Sequence, residues 1–369
     1  MEALFGNVLN IEWRHVVMWL IGGLLIWLAI KKDMEPTLLL PMGFGAILVN
    51  LPLSGVVTQG EEIGVIDLLF DSGIANELFP LLLFVGIGAM IDFGPLLTNP
   101  KLMIFGAAAQ FGIFFTISLA ALCGFELKDA ASIGIIGAAD GPTSIFVANY
   151  FQSNYLGAII VAAYSYMALV PIVQPPVIKL LTTKKERRIR MPYQQKSVSK
   201  TTRILFPIII TMITGIVSPR SVALIGFLMF GNLLRECGVL NALSETAQKV
   251  LANLVTLFLG LTIASKMQAE AFLNWQTLMI IALGLFAFIF DTAGGVIFAK
   301  ILNLFLKKKV NPMIGAAGIS AFPMSARVVH KLGLAEDKQN FLLMHSTGVN
   351  VSGQIASVIA GGLILNLIG

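Results

Sequence analysis

Long apolar segments follow one another through almost the whole chain, and they determine what it can fold into. Examples cover residues 16–30, 102–123, 156–178 and 276–306. Hydrophobic residues make up 57% of the sequence and charged residues only 12%. A soluble domain of this length could not bury so much apolar surface, whereas a lipid bilayer can solvate it. We therefore predict an all-α polytopic membrane protein that contacts membrane lipid.

Positive charge is concentrated between apolar segments and predicts the orientation. The loop of residues 179–203 is rich in basic residues, namely Lys184, Lys185, Arg187, Arg188, Arg190, Lys196 and Lys200. A second basic cluster is Lys307–Lys309. Basic loops stay on the cytoplasmic side, so both clusters predict that side, and the acidic stretch of residues 61–77 is expected outside. The net charge of +5 therefore has this origin, and we expect no nucleic-acid partner.

The first apolar run is expected to remain in the mature protein as a span with its N-terminus outside. Lys31 and Lys32 follow the run directly, and no small-residue cleavage site separates them from it. From this start, residues 37–57, 79–97 and 102–123 are predicted to cross in turn. Residues 204–217 and 222–234 are predicted as two short crossings. If they instead formed one broken span, everything downstream would be inverted.

Two apolar segments are predicted to enter the membrane and turn back. If residues 130–148 crossed completely, the basic loop would lie outside, so we expect this segment to dip in from outside. Its tip, residues 137–142, contains Gly and Pro, which break a helix. Residues 312–329 are expected to dip in from the cytoplasmic side. Irregular backbone at this depth survives only where protein or water covers it.

An internal repeat supports this pairing. Residues 133–137 align without gaps with residues 314–318, and Pro142 and Ser144 align with Pro323 and Ser325. We predict N-terminal spans with an outer acidic loop (1–78), a first repeat (79–178), a basic cytoplasmic loop with linking helices (179–252) and a second, inverted repeat (253–369). Transporters built this way bind an ion near the midplane, where two broken or re-entrant segments would meet.

Asp140 is the strongest candidate for ion binding. A carboxylate inside an apolar, glycine-flanked segment is costly and marks a functional site by default. It could supply oxygen to a hard cation such as Na⁺, together with freed backbone carbonyls. The alternative is a structural Asp that caps the helix after the break.

Other polar residues at membrane depth leave alternatives open. Arg327 either marks the cytoplasmic end of its segment or binds a carboxylate substrate in its planar fork. The last span carries a polar stripe that serves interhelical hydrogen bonds or ion ligation, namely Asn350, Ser352, Gln354 and Ser357. Tyr164 and Tyr166 lie in the middle of a span. Asp291 is either a second ion ligand or a partner of Lys266.

Four stretches of the sequence resemble a known family. They are residues 133–143 (IGIIGAADGPT), 162–171 (AAYSYMALVP), 311–320 (NPMIGAAGIS) continuing to Arg327, and 339–345 (QNFLLMH). With them, nearly the whole chain resembles the beta subunit of the biotin-dependent, sodium-translocating decarboxylases, which act on oxaloacetate, methylmalonyl-CoA, glutaconyl-CoA or malonate. The region between the second and third spans is compact, which favours the acyl-CoA enzymes.

The resemblance implies specific roles for several residues. It implies catalytic roles for Arg327, Tyr166 and Asp140, and favours Tyr166 over Tyr164. It implies contacts with the biotin group for Arg327, Ser320 and Gly315. The Na⁺ ligands that it implies are Asp140, Asn311, Asn350 and Ser357.

The resemblance also implies partners and a mechanism. A carboxyltransferase alpha subunit would load CO₂ onto biotin, a biotin carrier subunit would deliver it, and a small gamma or delta subunit would complete an oligomeric complex in the prokaryotic inner membrane. Decarboxylation of carboxybiotin would consume a proton and drive Na⁺ export. The chain has no biotin-attachment Met-Lys-Met, so a partner must carry the biotin. The rival interpretation is a secondary Na⁺/H⁺ or Na⁺/organic-anion transporter.

Overall fold

The computed structural model describes residues 9–32, 34–192 and 197–369, so the predicted basic residue Lys196 lies outside the described residues. Within them, helices dominate and no strand forms, which confirms the all-α prediction. Seven helices among them are long and apolar enough to span a bilayer: Trp13–Lys32, Pro100–Leu122, Leu156–Leu181, Lys200–Val217, Asn241–Lys266, Trp275–Phe305 and Leu343–Ile368.

Several of these spans are interrupted, and shorter helices connect them. The span Pro100–Leu122 consists of a 3₁₀ turn and two helices, Pro100–Leu102, Met103–Ala109 and Phe111–Leu122. The span Asn241–Lys266 consists of Asn241–Glu245, a π-helix Thr246–Leu251, Ala252–Ile263 and a 3₁₀ turn Ala264–Lys266. The shorter helices are Pro36–Val49, Val65–Phe70 with the π-helix Asp71–Ala75, Leu78–Met90, Gly94–Thr98, Lys184–Arg187, Pro219–Ser221, Val222–Glu236 and Ala269–Phe272.

The second predicted crossing is shorter than expected. The helix Pro36–Val49 has 14 residues, or about 21 Å, which is less than the hydrocarbon thickness of about 30 Å. The buried Asn50 ends it, donating to the Met267 carbonyl at 2.8 Å and accepting from the Ala269 amide at 2.7 Å. The prediction that residues 37–57 form one crossing is therefore wrong in its second half.

The first re-entrant segment turns back on itself, as predicted. It consists of the helices Leu127–Gly134 and Gly141–Tyr150, with a 3₁₀ turn Ile135–Ala138 before the break. At the break Ala139 adopts a left-handed conformation with φ of 51°. The Ser153 hydroxyl donates to Asp129 at 2.6 Å, so the two ends lie side by side. We call residues 127–150 the first hairpin.

The second re-entrant segment, the second hairpin, covers residues 312–336. It consists of the 3₁₀ helix Pro312–Gly318 and the helix Met324–Glu336. Both of its ends contact Arg187: the Asn311 amide donates to the Arg187 carbonyl at 2.9 Å, and the Arg187 guanidinium binds Glu336 at 2.7 Å. This segment also enters and leaves at one end of the molecule.

The two hairpins open at opposite ends. The 26-residue helix Leu156–Leu181 is about 39 Å long. It begins beside the first hairpin, where Tyr155 packs on Phe125, and it ends beside the Arg187 contacts of the second. We call the end with residues 182–192 the basic end. The opposite end, with the segment of residues 58–71, is the acidic end.

The hairpin tips meet inside the molecule. The Ser320 amide donates to the Ala138 carbonyl at 2.9 Å, which joins the two breaks directly. Glycines allow the backbone to approach this closely, since a Cβ at Gly353 would lie 2.1 Å from the Gly318 carbonyl oxygen. The division into two repeats stays a prediction, although the same order of long helix, hairpin and long helix occurs twice.

The two short predicted crossings are separate antiparallel helices. Arg203, near the start of the helix Lys200–Val217, binds both Asp92 and Glu236 at 3.4 Å. Glu236 is the last residue of the helix Val222–Glu236, so the pair returns to the end where it began. The alternative of one broken span is excluded, and the orientation of the downstream spans in the membrane stays a prediction.

Cysteine labelling tests the hairpin topology. In a background with Cys123→Ser and Cys237→Ser, we expect Lys128→Cys and Asn154→Cys to react with an impermeant thiol reagent from the same side of the membrane. Both positions are exposed and flank the first hairpin. Lys309→Cys and Lys338→Cys, which flank the second, should react only from the other side. Labelling of Lys128→Cys and Asn154→Cys from opposite sides would contradict the fold.

Candidate functional site

Asp140 lies at the point where the two hairpin tips meet. It precedes the helix Gly141–Tyr150 and caps it, accepting from the Thr143 amide at 3.4 Å. The same carboxylate accepts from the hydroxyls of Thr143 at 2.7 Å and Ser357 at 3.0 Å, and from the Gln354 amide at 3.2 Å. Capping and a functional role are therefore compatible, because both use the same group.

No basic side chain among the described residues forms an ion pair with Asp140. The side chain is 3% exposed, and its partners are neutral donors. An isolated charge at this depth is expensive unless a proton or a metal cation balances it. The arrangement is therefore suited to binding one monovalent cation.

Further oxygen atoms line the same region. The buried Asn350 donates its amide to the Ile319 carbonyl at 2.7 Å, and its side-chain oxygen has no hydrogen-bond partner in the part of the chain that the structure describes. Ser320 donates its hydroxyl to the Gly353 carbonyl at 3.0 Å. Among the predicted residues, Asp140 and Ser357 are in direct contact. Ser320 lies in the tip of the second hairpin, and Asn350 contacts that tip from the last helix.

A cavity of about 240 Å³ leads to Asp140. Ser320, Gln354 and Tyr164 line it beside Asp140. Its wall also includes Glu35, at the start of the helix Pro36–Val49. This helix ends at the acidic end, so its start lies on the side of the basic end, and the cavity extends in that direction. An ion or proton could therefore reach the carboxylate from the side that carries the basic loop.

The structure does not bring Asn311 and Gly315 together with Asp140. The Asn311 side chain is held at the basic end, where it donates to the carbonyls of Arg187 and Ile189, both at 2.9 Å. Gly315 packs on the helix Trp275–Phe305, and a Cβ there would lie 2.0 Å from the Gly295 carbonyl oxygen. Their contacts in this structure are structural, so the predicted Na⁺ contact of Asn311 and the predicted biotin contact of Gly315 stay predictions.

The two mid-span tyrosines face different neighbours. The Tyr166 hydroxyl donates to the Ile281 carbonyl, and its ring lies against Gly284. Tyr164 instead lines the cavity with Asp140. The sequence resemblance favoured Tyr166, but the structure places Tyr164 at the site. Thr143 was also missed, although an Asp directly before a helix is a recognisable N-cap, and the amide three residues later is its usual donor.

Arg327 is exposed, and among the described residues its side chain forms neither an ion pair nor a hydrogen bond. It lies one helical turn beyond Pro323, which lines the cavity, so both are on one face of the helix Met324–Glu336. The guanidinium is thus free to bind an anion near the cavity.

Asp291 does not pair with Lys266. Its carboxylate accepts from the Ile113 amide at 3.1 Å, and its second oxygen lies against Gly137 with no hydrogen-bond partner among the described residues. Lys266 instead lies over the Phe70 ring at 4.2 Å. The ion pair between Asp291 and Lys266 is therefore excluded, and a role of Asp291 as a second ion ligand stays a prediction.

Ion pairs fix the loop at the basic end. Arg190 binds Asp337 with two hydrogen bonds of 2.6 and 3.0 Å, and this lowers the pKa of the Asp337 carboxyl. Arg187 and Glu336 form a second pair nearby. Both pairs connect the basic loop to the end of the second hairpin.

Comparison with known proteins agrees with this geometry. A family model described as the Na⁺-transporting oxaloacetate decarboxylase beta subunit matches residues 14–368. The chain belongs to this family. The match covers both hairpins, the Asp140 region and the last span.

Individual relatives support the same family. The glutaconyl-CoA decarboxylase subunit beta of Acidaminococcus fermentans is 50% identical, covering 97% of this chain and 94% of the relative. The methylmalonyl-CoA decarboxylase subunit beta of Veillonella parvula is 49% identical, covering 96% and 93%. The oxaloacetate decarboxylase beta chain of Klebsiella pneumoniae is 44% identical, covering 100% and 99%.

The close contact between Gly353 and Gly318 gives a test of the tip geometry. Gly353→Ala should destabilise the protein by about 1–3 kcal/mol, because the new methyl group would overlap a backbone carbonyl. Thermal unfolding of the purified protein in detergent measures this. Gly23→Ala is the matched control, since nothing lies within 4 Å of a Cβ there. Equal melting temperatures for the two variants would contradict the tight packing.

Proposed function

We propose that this chain is the membrane subunit of a sodium-pumping decarboxylase, which decarboxylates carboxybiotin at the basic end and exports Na⁺. The observation that carries the proposal is Asp140. It is a buried carboxylate at the junction of two hairpin tips, held only by neutral donors. Family membership adds the link between sodium transport and decarboxylation.

Na⁺ would bind at Asp140. A hard cation prefers oxygen ligands, and the Asp140 carboxylate, the Ser357 hydroxyl and the free side-chain oxygen of Asn350 supply them. Backbone carbonyls near the breaks add neutral oxygen atoms, as in other transporters with interrupted helices. Ser320 lines the same cavity.

Coupling follows from competition for one carboxylate. A proton that reaches Asp140 removes its negative charge, and the site then loses most of its attraction for Na⁺. Moving one charge against the membrane potential costs about 2.3 kcal/mol per 100 mV. Decarboxylation must supply that free energy, so loading and release of Na⁺ have to follow the reaction cycle.

Arg327 is the proposed binding residue for the carboxylate of carboxybiotin. In the reaction the bond between the biotin nitrogen and the carboxyl carbon breaks, CO₂ leaves, and a proton adds to the nitrogen. Arg327 can hold the carboxylate in a two-pronged hydrogen bond, and the cavity that leads to Asp140 lies one helical turn away.

The proposed partners follow from the chemistry. A carboxyltransferase alpha subunit would carboxylate biotin, a biotin carrier subunit would bring it to the basic end, and a small gamma or delta subunit would complete the oligomeric complex. The basic end would then face the cytoplasm of a prokaryotic cell, in agreement with its lysines and arginines.

We favour an acyl-CoA as the primary substrate. Alignments with the oxaloacetate decarboxylase beta chains run over 412–431 positions, more than the 369 residues of this chain, so they include insertions that it lacks. The glutaconyl-CoA and methylmalonyl-CoA relatives align over 357 and 354 positions. This agrees with the compactness expected from the sequence.

A secondary Na⁺/H⁺ or Na⁺/organic-anion transporter is the rival. It would use Asp140 in the same way, but it requires no biotin and no carboxyltransferase. The two are separated by comparing decarboxylation of free carboxybiotin by the complete complex with that by the other subunits alone. Loss of Na⁺-dependent decarboxylation without the chain supports the decarboxylase.

Asp140→Asn should abolish Na⁺ transport and Na⁺-stimulated decarboxylation by the complete complex. The amide keeps the shape of the side chain but cannot balance a cation. Transport of ²²Na⁺ into proteoliposomes measures the effect, and detergent gel filtration checks folding. Asp129→Asn is the matched control, a carboxylate in the same hairpin whose partner is Ser153. Wild-type Na⁺ dependence in Asp140→Asn would refute the site.

Arg327→Lys should lower the rate of carboxybiotin decarboxylation by about 100-fold or more, because lysine cannot form the two-pronged contact. Protection by Na⁺ against thermal unfolding should persist, since Na⁺ binds elsewhere and stabilises the folded state. Lys331→Arg, one turn further along the helix, is the control. Full activity of Arg327→Lys would make Arg327 a boundary residue, and loss of Na⁺ protection would make it part of the ion site.

A further inference from the structure

The two tyrosines of the helix Leu156–Leu181 are separated by one residue and therefore point in nearly opposite directions. The Tyr166 hydroxyl donates a hydrogen bond to the Ile281 carbonyl on the neighbouring helix. Its ring packs against Ile136 and Gly284 rather than against the Asp140 carboxylate. The Tyr166 hydroxyl is therefore directed toward the neighbouring helix in this structure.

Tyr164 lies against the tip of the first hairpin. Its side chain is 1% exposed, and a Cβ built on Gly141 would lie 2.3 Å from the ring carbon Cζ and 2.4 Å from Cε1. Cζ carries the hydroxyl, so the phenol end of the ring is next to the residue that follows Asp140. Glycine at position 141 is what allows this approach.

The Tyr164 hydroxyl has no hydrogen-bond partner among the described residues, although it is completely buried. A buried hydroxyl without a partner is unfavourable, and such groups call for an explanation such as a bound ion. Tyr164 lines the same cavity as Asp140, Ser320 and Gln354. The unused oxygen and the uncompensated carboxylate therefore adjoin one small space.

We propose that the Tyr164 hydroxyl is a neutral oxygen ligand of the cation that occupies the cavity beside Asp140. This rests on the proposed function, in which Na⁺ binds at Asp140. A neutral ligand suits a monovalent ion, because a second carboxylate would leave the site negatively charged when occupied. Gly141 is the positioning residue, since it lets the ring lie against the hairpin tip.

The test compares Tyr164→Phe with Tyr155→Phe in the complete complex. The readout is the Na⁺ concentration that gives half-maximal protection against thermal unfolding. We expect Tyr164→Phe to raise it by about tenfold, since one ligand to a charged group is lost. Tyr155 packs on Phe125 outside the cavity, so Tyr155→Phe should leave this Na⁺ concentration within about twofold of the wild type.

Control measurements keep the outcomes distinct. Melting temperatures without Na⁺ show whether Tyr164→Phe folds normally. Gly141→Ala displaces the ring but keeps the hydroxyl, so it should also weaken Na⁺ protection. Wild-type Na⁺ protection in Tyr164→Phe, or an equal shift in Tyr155→Phe, overturns the inference. If Asp140→Asn keeps Na⁺ protection while Tyr164→Phe loses it, the Asp140 site fails but the Tyr164 ligand stands.

Discussion

A carboxylate buried without a basic partner is the constraint on which the rest of this structure depends. Asp140 is held by the hydroxyls of Thr143 and Ser357 and by the Gln354 amide, so hydrogen bonds hold its geometry without neutralising its charge. A nearby lysine or arginine would neutralise it permanently and remove its affinity for a cation. The surrounding helices therefore have to provide a polar environment that contains no fixed positive charge.

Close backbone packing makes that environment possible inside a bilayer. The Ser320 amide joins the Ala138 carbonyl, and Gly353 allows the last helix to touch Gly318. A polar side chain from a neighbouring helix contacts each break. The Gln110 amide donates to the Gly318 carbonyl at 3.4 Å, and the Asp291 carboxylate lies against Gly137. Residues 133–137 align with 314–318, so these two contacts occupy equivalent places in the predicted repeats.

The sequence predicted most of the architecture but not the whole site. Apolar runs, loop charge and the glycine–proline break at residues 137–142 predicted the spans and both hairpins, because each depends on local composition. The helix end at Asn50 and the position of Asn311 could not be predicted, since both depend on hydrogen bonds to distant residues, Met267 and Arg187. The placement of Tyr164 on the cavity wall could not be predicted either, because it depends on which neighbour each side of the helix meets, and the role of Tyr166 stays a prediction.

The difference between the two hairpin tips fits the proposal that a single ion binds where the two predicted repeats meet. In the alignment Asp140 corresponds to Ala321, so only one of the two tips brings a carboxylate to the cavity. The second tip brings neutral groups instead, with the hydroxyl of Ser320 on the cavity wall. Two carboxylates there would repel each other and would retain a proton or a second cation. A single carboxylate among neutral oxygen atoms matches a single monovalent charge, which one proton can then replace.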